Sequence, residues 1–167
     1  MPLPKIATPT YELTLPSTKK KIKYRPFLVK EEKLLVLALE SDDSKQITTA
    51  IKAVLKSCIE TRGVKVENLP TFDIEYLFLN IRGKSVGEEV EVNIIAPDDG
   101  TTEIPITIQL DEIEVKEGEG HDKKIKLDDS LMMEMKYPSL DEFIKNNFDI
   151  KGEVNIDQSF ELIAGCI

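Results

Sequence analysis

The spacing of apolar residues passes from a helical to a strand-like period near Gly87, in the middle of this chain. Upstream, Ile47, Ala50, Ile51, Val54, Leu55, Cys58 and Ile59 recur every three or four positions, the period that lines one side of an α-helix. Downstream, Val90, Val92 and Ile94 alternate with polar residues, Pro97-Asp98-Asp99-Gly100 makes a turn, and Ile104, Ile106, Ile108 and Leu110 alternate again. That is the period of a β-hairpin. Helices and strands grouped in separate stretches predict an α+β fold.

The remaining elements fit around this division. Tyr11–Leu15 alternates, Pro16-Ser17-Thr18-Lys19-Lys20 offers turn chemistry, and Ile22–Phe27 follows, so an N-terminal β-hairpin is expected. A helix is predicted from about Val29 to Glu40, with Glu31 and Glu32 in its first turn, where the helix dipole favours anions. Its Leu34, Leu35, Val36, Leu37 and Leu39 crowd more than one face, so it should either sit at the centre of a core or be covered by a partner. Ser41-Asp42-Asp43-Ser44 supplies a break and a fresh N-cap, and Gly63 is a plausible stop for the second helix. Pro70-Thr71 opens a third helix with Asp73 and Glu75 in its first turn; Gly83 and Gly87 flank its expected end. Pro105 has no N–H to give a ladder, so its strand should be an edge or carry a bulge.

Beyond the polar connection 117–124, Ile125-Lys126-Leu127 and Leu131–Tyr137 suggest further strands. Met132, Met133 and Met135 are expected in the core, with an adaptable contact surface as the alternative. Ser139-Leu140-Asp141-Glu142 is a capping box that should launch a short helix carrying Phe143, Ile144 and Phe148. Ile156, Phe160, Ile163, Ala164 and Ile167 form a last helical stripe, inside which the sequence stops; it reads as truncated or as an end buried against something else. The predicted layout is therefore a hairpin plus three helices over residues 1–87, an antiparallel β region over 88–137 and a C-terminal helical segment over 138–167, or one compact domain containing all three.

With 41% hydrophobic and 32% charged residues the chain has a globular composition. A net charge of -9 repels a phosphate backbone, and the one basic run, Lys19–Lys23, falls in the first hairpin without aromatic stacking partners, so no nucleic acid is expected. No apolar run approaches the roughly 20 residues of a membrane span, and Met1-Pro2-Leu3-Pro4-Lys5 shows no basic-then-apolar pattern, so a secretory signal is not expected. The cytoplasm is the expected compartment. Cys58 and Cys166 lie in apolar runs and read as buried thiols rather than a disulfide or a metal pair.

Chemistry-bearing motifs are scarce. His121, the single histidine, lies in a Gly- and Glu-rich loop and reads as a solvent-facing residue. Asp98-Asp99-Gly100 and Asp128-Asp129-Ser130 lack the spaced ligands and closing glutamate of a calcium loop and read as turns. Gly83-Lys84-Ser85 ends like a phosphate-binding loop, but Phe78 stands where its first glycine belongs. No catalytic, cofactor or metal site is expected, and the chain is not expected to be an enzyme.

Pro16-Ser17-Thr18-Lys19-Lys20, the stretch Tyr24-Arg25-Pro26-Phe27-Leu28-Val29-Lys30-Glu31-Glu32-Lys33, and Phe72 to Glu88 resemble the T4-like bacteriophage baseplate hub family, and Tyr137-Pro138-Ser139-Leu140 repeats the likeness weakly. The resemblance implies a small protein that helps to build the central hub of a contractile tail baseplate, as a hub component or an assembly chaperone. Its partners would be other baseplate hub and tail proteins, met in the host cytoplasm, with a place in the virion tail if it stays. The alternative is an unrelated protein-binding adaptor of α+β build. Tyr24, Arg25, Phe27, Tyr76, Phe78 and Arg82 are the candidate partner-binding residues, since aromatic rings beside arginines are typical contact anchors; the same residues could instead close the chain's own core.

Overall fold

The structure, a computed structural model, describes residues 7–41, 43–116, 118, 120, 122–142 and 156–167. Strands β1 (Tyr11–Thr14) and β2 (Lys21–Tyr24) form the N-terminal hairpin, with Leu13 opposite Ile22 and Tyr11 opposite Tyr24. Alternation buries Leu13, Ile22 and Tyr24 and leaves Glu12 and Lys23 outside as an ion pair. The second edge of β2 is covered as well. Tyr24 bridges Ile59, the Arg25 N–H donates to the Cys58 carbonyl, and the Glu60 N–H donates to the Lys23 carbonyl.

Helix α1 spans Val29–Glu40 and α2 spans Ser44–Cys58. Asp43 caps α2 by accepting the Lys45 N–H at 2.9 Å, and the three-four stripe delivers Ala50, Val54, Leu55 and Cys58 to the core. Gly63 does not stop this helix. Ile59 leaves it to pair with Tyr24, and Gly63 serves a later turn at φ +81°, before a 3-10 turn (Val66–Asn68) that buries Val66. Helix α3 (Thr71–Val86) runs straight through Gly83 and ends only at Gly87, whose φ of +137° suits glycine alone. Leu15, Leu69, Ile74, Leu77 and Ile81 complete the core. At about 1.5–3 kcal/mol for each large buried side chain, this cluster is the main source of stability.

The second half is thinner. Strands β3 (Glu89–Ile95) and β4 (Glu103–Gln109) pair antiparallel, with Val90 opposite Ile108, Val92 opposite Ile106 and Ile94 opposite Ile104. The ladder bonds Leu110 N–H to Glu88 O and Ala96 N–H to Thr102 O place the bonded positions of β4 at even numbers. Pro105 therefore turns its nitrogen away from β3, on an edge, as its chemistry requires. A 3-10 turn, Leu110–Glu112, seats Leu110 beside Gly83 of α3. Strands β5 (Lys124–Lys126) and β6 (Met132–Glu134) make a third small pair. Met132 is exposed and Met133 and Met135 are only half-buried, so the methionines are not core: a two-stranded ribbon has no second layer to cover them.

The chain then returns to the first half. Ser139 bridges Pro70, Leu140 packs on the main core, and Asp141 pairs with Lys52. The capping box forms: the Ser139 N–H donates to the Glu142 carboxylate at 2.8 Å and the Glu142 N–H to Ser139 Oγ at 3.3 Å. Residues 140–142 are helical, while Phe143, Ile144 and Phe148, like His121, lie outside the described residues. Helix α4 (Ile156–Gly165) carries the last stripe, and the Cys166 carbonyl accepts the Lys136 N–H at 2.6 Å. Separate helical and antiparallel parts make the fold α+β.

Candidate protein-interaction surface

The junction between β2 and α1 is organised by Glu31. Its carboxylate accepts the Ser57 hydroxyl at 2.6 Å, the Leu28 N–H at 2.9 Å and Arg25 Nη2 at 3.0 Å, with Lys30 Nζ at 3.3 Å. The side chain is only 4% exposed. Burial opposes its ionisation, but the bonds from Ser57, Leu28, Arg25 and Lys30 outweigh burial and draw the carboxyl down to about 2. Arg25 spends its remaining reach on the Pro26 carbonyl and Ser57 Oγ. Glu31 thus ties hairpin, α1 and α2 together, a role that its first-turn position alone did not announce.

A second clasp joins elements far apart in sequence. Asp73, fully buried at the start of α3, accepts the Ser17 N–H at 3.0 Å and also the Ser17 hydroxyl. No local pattern marks this pair.

The six candidate residues fall in different settings. Tyr24 is 2% exposed and lies 5.8 Å from the Tyr11 ring, and burial raises its phenol above the usual value. Arg25 belongs to the Glu31 knot. Phe27 is half-buried against the core, and its N–H donates to Ser85 Oγ at 2.9 Å. Phe78, Arg82 and Ser85 follow helical spacing along one side of α3, whereas Tyr76, two positions from Phe78, points to another. Arg82 Nη1 reaches the Gly87 carbonyl at 3.5 Å. Ser85 and Lys84 are both used internally, on Phe27 and Glu88, in place of any phosphate.

Open apolar surface lies elsewhere. Helix α1 turns Ala38 and Glu31 inward and leaves Val29 at 79%, Val36 at 48%, Leu37 at 53% and Leu39 at 63% exposure. Only one side of this helix meets the core, so its excess of leucines faces outward rather than sitting at a centre. Between α1 and α2 runs a groove of about 370 Å³, apolar on the Leu34, Leu37 and Ala38 side and polar at Lys45, Gln46 and Thr49. A chain that leaves so many aliphatics open on one helix has the character of a contact surface.

Among the described residues no group of three or more His, Cys, Asp or Glu is placed to hold a metal ion. No described helix is long and apolar enough to cross a membrane. Neither the curated proteins nor the solved structures hold a match to the chain. The family model described as T4 bacteriophage base plate protein does match, over residues 8–167. That span includes the hairpin, the α1 surface and all the elements described above. The chain belongs to the T4 bacteriophage base plate protein family.

Proposed function

We propose that this base plate protein acts in assembling the central hub of a contractile tail, through protein–protein contact and without catalysis. Its working compartment is the host cytoplasm, where tails are built, and its partners are other hub and tail proteins. The observation that carries this reading is the set of exposed aliphatics Val29, Val36, Leu37 and Leu39, spread around the outer side of a helix whose inner side is locked down by Glu31. A rigidly held aliphatic face limits the side-chain and backbone ordering needed on binding, which favours a specific contact. Phe27, Tyr76, Phe78 and Arg82 are half-buried and so remain open to a partner, whereas Tyr24 and Arg25 are committed to the core and the Glu31 knot.

The test is a phage carrying Val36→Ser with Leu39→Ser. The expected result is a purified protein with an unchanged melting temperature and an infected cell that accumulates incomplete baseplates. Normal tails and full infectivity would overturn the proposal. Mass spectrometry of virions beside infected-cell lysate then separates a retained hub component from a chaperone that departs. Phe78→Ala and Arg82→Ala, each measured for melting temperature and for pull-down of hub proteins, separate contact residues from core residues.

A further inference from the structure

The β3–β4 hairpin is two-faced. Val90, Val92, Ile94, Ile104, Ile106 and Ile108 share one face through three cross-strand pairs, and the opposite face carries Glu89, Glu91, Asn93, Glu103 and Thr107, with exposed Ile95 at its turn end. On the aliphatic face Ile94, Ile104, Ile106 and Ile108 are 39–47% exposed. Isolated two-stranded ribbons are marginal in water, so a face of β-branched side chains is expected to find cover.

The charge around that face says what kind of cover. Residues 88–115 contain nine of the 31 acidic residues and none of the 22 basic ones, so the remainder, 22 acidic and 22 basic, is neutral and the whole net charge of -9 sits on this segment. Among the described residues only Glu88 is offset by an ion pair, with Lys84. A single sheet layer, about 10 Å thick, is comparable with the Debye length of about 10 Å at 0.1 M salt, so charges on its far face and at its ends still act, partly screened, on anything docked against the aliphatic side. A second copy of this chain would bring one such acidic segment against another, which is repulsive.

We propose that the aliphatic face of β3–β4 docks a partner protein presenting an aliphatic patch ringed by lysine and arginine. The inference rests on the assembly role proposed above and gives it a second, separate contact site. The attraction of opposite charges steers the encounter, and the six aliphatic side chains hold the complex.

The experiment uses the full chain and the other baseplate proteins of the same phage, purified one by one, with affinity measured at about 50 mM and about 300 mM salt. Two variants accompany the wild type: Ile106→Thr, which keeps β-branching while removing aliphatic surface, and Glu91→Lys with Glu112→Lys, which reverses exposed charges without touching the face. The expected result is one partner that loses about tenfold in affinity to Ile106→Thr. The charge variant should weaken the same partner severalfold at low salt and little at high salt, with melting temperatures unchanged. If wild-type protein binds partners that neither variant disturbs, the hairpin inference fails and the assembly role stands. If the wild type binds none of them, both fail. Sedimentation showing a homodimer that Ile106→Thr dissociates would also overturn the proposal, since the occupant would then be a second copy.

Discussion

Replacing Glu31 by glutamine keeps the shape of the side chain and removes the charge on which the β2–α1–α2 junction closes. The carboxyl is drawn from 4.5 to about 2 in the folded chain. At about 1.4 kcal/mol for each tenfold change, that displacement corresponds to about 3 kcal/mol of stability near neutral pH. Part of this survives in Glu31→Gln, because the amide oxygen can still accept the Leu28 N–H, so about 2–3 kcal/mol is the expected loss. For a chain of this length that lowers the melting temperature by roughly 4–12 °C. The sign of the pH dependence follows from the depressed value. The stabilisation is complete above the unfolded pKa of 4.5 and drains away as pH falls toward 2, as the folded carboxylate is protonated. Other carboxylates titrate in the same window, so the informative quantity is the difference between wild type and variant. Urea denaturation followed by circular dichroism should show that difference at pH 7 and see it shrink at pH 3. Equal stabilities at pH 7, or a gap that stays constant down to pH 3, would refute the assignment of Glu31 as the tie of this junction.

Further outcomes are open to simpler measurements. Asp73→Ala removes the acceptor of the half-buried Ser17 N–H and hydroxyl and should cost about 1–2 kcal/mol, read as a lower urea midpoint; a change under about 0.5 kcal/mol would show the clasp to be idle. Burial pushes the Cys58 thiol up to about 11 and raises Cys166 as well, so neither should react with a maleimide near pH 7.5 until denaturant is added. Asp99 holds the β3–β4 turn by accepting from the Thr102 hydroxyl and the Thr101 and Thr102 amides, bonds that bring its carboxyl down to about 2. Asp99→Ala should speed hydrogen exchange at those two amides and leave exchange in α2 unchanged.

Local patterns carried most of the architecture. The stripe of α2, the alternation of β3 and β4, the outward nitrogen of Pro105 and the Ser139–Glu142 box each depend on neighbours within a few residues, and each stands where its pattern predicts. What periodicity does not reveal is which apolar side ends up covered. The leucines of α1 leave a core centre and a partner-covered face equally open, and Met132, Met133 and Met135 favour the core over a contact surface; exposure depends on whether another layer arrives, which is a property of the whole fold. The Ser17–Asp73 clasp and the Arg25–Glu31–Ser57 knot escape for a related reason. They join positions separated by 56 and 26 residues, and polar side chains carry no period that would pair them in advance. Gly63 misled because a glycine after a helical stripe usually ends it, whereas here strand pairing by Ile59 ends it first.

The closure of β3 and β4 at Glu88 and Leu110 has a consequence for how such a protein can diverge. The ribbon begins and finishes at one point on α3, so its length can change without altering the body beneath it. Only some lengths preserve its character, however. Adding or deleting two residues in each strand keeps every valine and isoleucine on its side, whereas a change of one per strand turns the outer part of the ribbon over and exchanges the greasy surface for the acidic one. Descendants that keep the same use for this arm should therefore differ from one another in steps of four residues between positions 88 and 110.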